Sequence, residues 1–274
     1  MTPPHEHDLG LVHDLGTLRR RNVLRLLAGA GLAAVAGCAT DDTPSSTPSA
    51  TTGTPTQSPG STASAGCVEK ISEETAGPFP GDGTNGPNVL TESGIVRSDL
   101  TRSFGSASGV AEGVPLTVEL VVQDATKCSP LQGAAVYVWH CDAQGRYSLY
   151  SEGAENENYL RGVQAADANG KVTFTTVFPA AYQGRWPHLH FEVYASLSEA
   201  TAAGKISATS QLALPTDACE AVYATSGYDG SARNLSGTSL RDDNVFGEDE
   251  GVSQLATVTG SVQDGYRARL TVGV

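Results

Sequence analysis

Leu116, Val118, Leu120 and Val122 alternate with Thr117 and Glu119, a period of two that turns one face of an extended strand toward a core. Runs of similar character follow: Ala134 to His140, rich in Val, Tyr and Trp, then Val172 to Val177, Leu189 to Tyr194, Leu255 to Val262 and Tyr266 to Val272. Gly133, Asp142-Ala143-Gln144-Gly145, Asn169-Gly170 and Asp264-Gly265 separate them with turn residues. There is no internal repeat and no long amphipathic helix. The pattern predicts an all-β fold, a β-sandwich core with long loops and little helix. One short helix is expected within 195–208, and a long acidic loop over about 216–250.

Residues 1–66 lack this pattern. Arg19-Arg20-Arg21-Asn22-Val23-Leu24-Arg25 precedes an apolar run from Leu26 to Gly37, well short of the roughly 20 residues a spanning helix needs. The run ends in Val35-Ala36-Gly37-Cys38, which is similar to a lipoprotein signal-peptidase site, and Arg20-Arg21-Asn22-Val23-Leu24-Arg25 resembles a twin-arginine export signal. An ordinary secretory signal or an uncleaved N-terminal anchor is the plainer alternative. Residues 1–37 are therefore expected to be a twin-arginine-type lipoprotein signal peptide, with a lipid on Cys38 holding an exported protein to the outer face of the cell membrane. Residues 38–66, almost entirely Thr, Ser, Pro, Ala and Gly after Cys38, predict a disordered tether. The folded domain is expected at 67–274.

Composition narrows the function. The 17 Lys+Arg against 30 Asp+Glu give a formal charge of −13, which argues against a nucleic-acid partner, since phosphate binding needs clustered basic residues. Four cysteines follow Cys38: Cys67, Cys128, Cys141 and Cys219. Outside the cytoplasm an even number predicts two disulfides, in any of three pairings. No two lie at the C-x₂₋₄-C spacing of a zinc site. Only His140, His188 and His190 remain beyond the signal segment.

Two of those three stand as His188-Leu189-His190. On a strand, residues i and i+2 share a face with Cα atoms about 6.5–7 Å apart, so both imidazoles can converge on one metal. Leu189, Phe191 and Val193 would then face the core. Two tyrosines lie nearby in the sequence: Tyr147, just past a strand and a turn, and Tyr182, six residues before His188. Phenolate is a hard anionic donor suited to Fe(III). Taken singly, each of these residues also fits a surface or core position; together at this spacing they predict a metal centre.

Val138-Trp139-His140-Cys141-Asp142-Ala143 through Gly145-Arg146-Tyr147-Ser148, Leu160-Arg161-Gly162-Val163-Gln164, Asp167-Ala168-Asn169-Gly170, Phe174-Thr175-Thr176 and Pro179…Tyr182…Arg185-Trp186-Pro187-His188-Leu189-His190-Phe191 resemble the intradiol ring-cleavage dioxygenases, the family of catechol and protocatechuate dioxygenases. Thr75-Ala76-Gly77-Pro78-Phe79 and Val96-Arg97-Ser98-Asp99-Leu100 look like the opening motifs of that family.

The resemblance implies Fe(III) held by Tyr147, Tyr182, His188 and His190, with Tyr147 and His190 retained and Tyr182 displaced when a catechol-type substrate binds. Arg185 would stabilise negative charge on the ring, Gln211 would be a polar pocket residue, and Gly77, Pro78 and Phe79 would shape the pocket. The implied reaction inserts both atoms of O₂ and yields a cis,cis-muconate-type diacid without an organic cofactor. Pro80 stands where the family often has a pocket aromatic, and Pro179-Ala180 where it often has Pro-Gly. The N-terminal helical region of catechol dioxygenases is missing, so their dimer is not implied and the oligomeric state is left open. The competing readings are an exported, non-catalytic binding sandwich and a Zn or Cu site of other function.

Overall fold

The computed structural model describes residues 67–274. The expected signal peptide at 1–37, the lipidation site Cys38 and the tether at 38–66 lie outside the described residues. Among those described, no helix is long and apolar enough to cross a membrane.

Two sheets form the body, as the alternation predicts. In the first, β1 (Pro115–Asp124) pairs antiparallel with β2 (Ser129–Pro130) and β5 (Lys171–Val177), and parallel with β9 (Gly265–Gly273), which carries β8 (Thr257–Ser261) on its far side. In the second, β4 (Arg161–Ala165), β3 (Ala135–Trp139), β6 (His188–Tyr194) and β7 (Ile206–Ala213) lie in that order, antiparallel throughout. Leu116, Val118, Leu120 and Val122 of β1 share one buried cluster with Phe174, Leu270, Val136, Val138, Leu189, Phe191 and Val193. That cluster is the core between the sheets, and its burial is the main stabilising term.

A two-layer sandwich leaves the outer face of each sheet to solvent, yet all five residues of β3 and all seven of β6 are buried. The N-terminal segment explains it. Ile71 N donates to Gly273 O, Glu74 N to Thr209 O, and Leu100 N to Thr175 O, so residues 71–100 are tied at points along both sheets. Ser210 Oγ and Gln211 Nε2 fasten the same segment at Ser72 O and Thr75 O. On the covered face the register sets Arg161, Trp139, His190 and Gln211 opposite one another across all four strands.

Two expectations need correction, and two strands were not foreseen. Among the described residues one disulfide forms, Cys67–Cys128, where two were expected. Cys141 and Cys219 are free thiols, both buried; Cys141 Sγ points at Ala180 O instead. The stretch 216–250 is not a loop: it folds α2 (Thr216–Tyr223), α3 (Ser231–Ser236) and a short 3₁₀ turn at Phe246–Glu248, whereas α1 (Leu197–Thr201) falls where the short helix was expected. Ala218, Cys219, Val222 and Tyr223 bury one stripe of α2, a periodicity obscured by the interspersed acids. Finally, β4 and β7 are strands that the pattern did not mark, because Arg-Gly-Val-Gln-Ala and Ile-Ser-Ala-Thr-Ser-Gln-Leu-Ala lack a clean β-branched alternation.

Candidate metal centre

The first residues of β6 carry the site. His188 and His190 project from the same face, as the i, i+2 rule requires, and their Nε2 atoms are 3.1 Å apart. Tyr182 comes from the loop entering β6, which reverses at Gly184 with φ 81°; its hydroxyl is 3.1 Å from His188 Nε2. Tyr147 follows the turn after β3. Its hydroxyl lies 3.3 Å from that of Tyr182 and 3.3 Å from His190 Nε2. All four ligands named from sequence therefore meet in one cluster.

The Tyr147 loop is built around Asp142. One carboxylate oxygen accepts the backbone N–H of Gln144 and of Arg146, and the other accepts Arg146 Nε and the Tyr159 hydroxyl. Tyr147 N donates to Ser151 Oγ. Tyr147 is buried by this frame, while Tyr182 is only half-buried.

Hydrogen bonding fixes one tautomer. A carbonyl can only accept, so His188 Nδ1 donates to Trp186 O, and its Nε2 presents a lone pair to the cluster. His190 stacks on Trp139 with ring centroids 4.9 Å apart and planes at 9°, and Gly77 lies so close that a Cβ there would stand 3.2 Å from His190 Cε1. His190 Nδ1 is buried without a hydrogen-bond partner. Burial, reinforced by Arg185, lowers the pKa of His188; burial, reinforced by His188, holds that of His190 well below the ordinary histidine value. Both rings are thus neutral, the form that ligates metal. Burial, then the neighbouring Tyr182, pushes the Tyr147 phenol well above its usual value, so a cation is what would make it an anion here.

The donor set fits a hard metal ion. Edges of 3.1–3.3 Å are those of donors roughly 2 Å from a common centre. Among the described residues no three His, Cys, Asp or Glu side chains gather to hold an ion; half of this cluster is phenol, which favours a trivalent hard cation over Zn.

Arg185 is buried beside the cluster. Its Nε donates to Asp243 Oδ2 at 3.0 Å and its Nη2 to Gln211 Oε1 at 2.6 Å. Burial alone would raise the Asp243 carboxyl, but Arg185 and the Trp186 N–H outweigh it and hold it below the ordinary value. Gln211 thus reaches the site through Arg185, from its place beside His190 in the sheet.

A cavity of ≈ 180 Å³ opens over the cluster, walled by Pro78, Phe79, Tyr147, Tyr182, Arg185 and His190, with Gln144, Arg146, Asp229, Ser231 and Asn234 among its polar residues. Roughly 150 Å³ suffices for benzene in an apolar protein cavity, so one aromatic ring fits. Pro80 is buried with its carbonyl accepting from Tyr137 and Arg161; the wall is formed by the two residues before it. Sequence reasoning missed Asp243, Trp139 and the residues of α3. Nothing local distinguishes Asp243 from the exposed Asp242 beside it.

A family model described as Dioxygenase matches residues 85–217, a span that includes all four cluster residues and Arg185. An intradiol ring-cleavage dioxygenase from Tetranychus urticae superposes with a TM-score of 0.59 at 24% identity, over 75% of this chain and 94% of that one. A second dioxygenase structure gives 0.58, also at 24% identity, with the same coverages. The dioxygenase domain of a carbohydrate-binding fusion from Streptomyces sp. SirexAA-E gives 0.48 at 22% identity, over 75% and 98%. The chain therefore has the fold of the intradiol ring-cleavage dioxygenases, with its tyrosine–histidine cluster inside the span that the dioxygenase model matches.

Proposed function

We propose that this protein is an Fe(III)-dependent intradiol dioxygenase that cleaves a catechol-type diol between its two hydroxylated carbons, using O₂ and releasing a cis,cis-muconate-type diacid. The observation that carries this reading is the convergence of two phenol oxygens and two imidazole nitrogens at 3.1–3.3 Å on the floor of a cavity sized for one ring. Tyr147, Tyr182, His188 and His190 would hold the iron, which supplies Lewis acidity and a template for diol and O₂.

The residues divide the remaining work by their surroundings. Tyr147 is pinned by the Asp142 frame, and His190 by Trp139 and Gly77. These are the retained ligands. Tyr182, half-buried on a loop, is the ligand that yields to the diol, and its released phenolate oxygen takes a proton from it. Arg185, held rigid by Asp243 and Gln211, aims fixed positive charge at the ring as negative charge develops there. Phe79, 5.1 Å from the Tyr147 ring, shields that phenol and helps exclude water.

The decisive assay follows oxygen uptake and the ultraviolet absorption of the ring-opened diacid when purified protein meets catechol. Stoichiometric uptake with appearance of the diacid is expected; a stable catechol would contradict the reading. The export and anchoring of the protein rest on Arg20-Arg21 and the Cys38 motif. Cys38→Ser should move the protein from the membrane to the soluble fraction, and unchanged partition would remove the lipid anchor from the account.

A further inference from the structure

Arg161 stands in the same cross-strand row as Trp139 and His190, at the edge of the covered face. It is 1% exposed, and among the described residues no carboxylate accepts a hydrogen bond from it. Each of its nitrogens has a partner. Nε donates to Ser148 Oγ at 3.0 Å; Nη1 donates to Pro80 O at 2.8 Å and to the Tyr137 hydroxyl at 3.1 Å; Nη2 donates to Phe79 O and to Ser148 O, both at 2.9 Å. A guanidinium has five N–H groups, and five bonds use them.

The acceptors fall on two segments and no others besides Tyr137. Phe79 and Pro80 belong to the N-terminal cavity wall. Ser148 directly follows Tyr147. Tyr137 closes the triangle, since its hydroxyl also donates to Pro80 O at 2.7 Å. Gly81, with φ +67°, leaves room for the guanidinium: a Cβ there would come within 2.7 Å of Nη1. The chain is also held in the left-handed region at Leu149, which follows Ser148, and at Leu160, which precedes Arg161 itself, a conformation uncommon for large side chains.

We propose that Arg161 is a positioning residue that couples the Phe79–Pro80 wall to the Tyr147 loop, so that cavity width and the place of the Tyr147 phenol are set together. Its planar fork spans the two segments at fixed separation, which the three donors of a lysine on a flexible stem cannot reproduce. The effect on catalysis rests on the dioxygenase reading above. The mechanical coupling does not, and the two are measured separately.

The test compares the intact protein with Arg161→Lys and Arg161→Gln by hydrogen exchange with mass spectrometry, and by steady-state kinetics with catechol. Peptides covering 77–82 and 147–151 should both exchange about 10-fold faster, the scale of one lost charged hydrogen bond, while strands 116–122 and 266–272 stay unchanged. KM for catechol should rise more than kcat falls. A response in one segment without the other overturns the coupling, as does acceleration spread evenly through the strands. A loss of kcat at constant KM overturns the setting of cavity width. Should neither variant fold, Tyr137→Phe removes one acceptor of Arg161 Nη1 together with the bond from that hydroxyl to Pro80 O; faster exchange at both 77–82 and 147–151 then supports the coupling, and a change confined to 77–82 overturns it. Coupled exchange in a wild-type protein that leaves catechol intact would keep the coupling and overturn the dioxygenase reading.

Discussion

At the residue scale the two tyrosines differ in environment, and so they should fail differently. Tyr147 is fully enclosed with its backbone tied to Ser151, and Tyr182 is half-buried on a loop. Tyr147→Phe is expected to lower iron content, while Tyr182→Phe keeps more iron but loses turnover and shifts the visible absorption. Equal iron loss in both would contradict the division between retained and displaced ligand. Arg185→Ala should leave iron and colour nearly intact and slow turnover by about 10²–10³-fold, the effect of removing one preorganised electrostatic donor. The His188-Leu189-His190 pair was legible from strand alternation, whereas Tyr147, 43 residues from His190 in the chain, was tied to Tyr182, Arg185 and the histidines by the family resemblance. Asp243 was not: it lies 58 residues from Arg185, and only the tertiary fold brings it in. Asp243→Asn removes the counter-charge that holds Arg185, and it should lower kcat in the same direction as Arg185→Ala but less severely.

At the element scale, β6 and the N-terminal segment make the site by burying both faces of one strand. That segment begins at Cys67, whose disulfide to Cys128 closes 61 residues of chain. Constraining a loop of that length in the unfolded state is worth about 4 kcal/mol in the chain-entropy picture. Reduction should therefore lower the thermal midpoint clearly, and an unchanged midpoint would show that the segment is held by its sheet contacts alone. Burial pushes the Cys141 and Cys219 thiols far above their usual range, so both should resist alkylation until the protein is denatured. The core strands were legible from alternation, and their boundaries moved by only a residue or two. The number of disulfides was not, since counting cysteines carries no information on which ones face each other. Nor were α2, where charge masked a short apolar stripe, and α3, whose buried residues are Ser231 and Leu235.

The whole molecule adds a pH dependence centred away from the tyrosine–histidine cluster. His140 is buried between the sheets, with Nδ1 donating to Cys141 O and Nε2 accepting from Thr176, and burial lowers its pKa to about 4. The unfolded chain binds this proton more readily than the folded one below about pH 6.5, so stability is retained above that value and declines as pH falls toward 4, by about 3 kcal/mol from this residue. Urea midpoints across that window should fall for the wild type and stay flatter for His140→Gln; parallel curves would assign the acid sensitivity elsewhere. The same fold sets a hard-donor cluster beneath a cavity for one aromatic ring, and the proposed function requires that this cluster hold Fe(III). The most direct measurement is elemental analysis of the purified protein together with its visible spectrum before and after catechol is added. About one iron per chain, a phenolate-to-iron absorption band and a change in that band when the diol binds are expected. Zinc, copper or no metal, with no visible band, would contradict the proposed function.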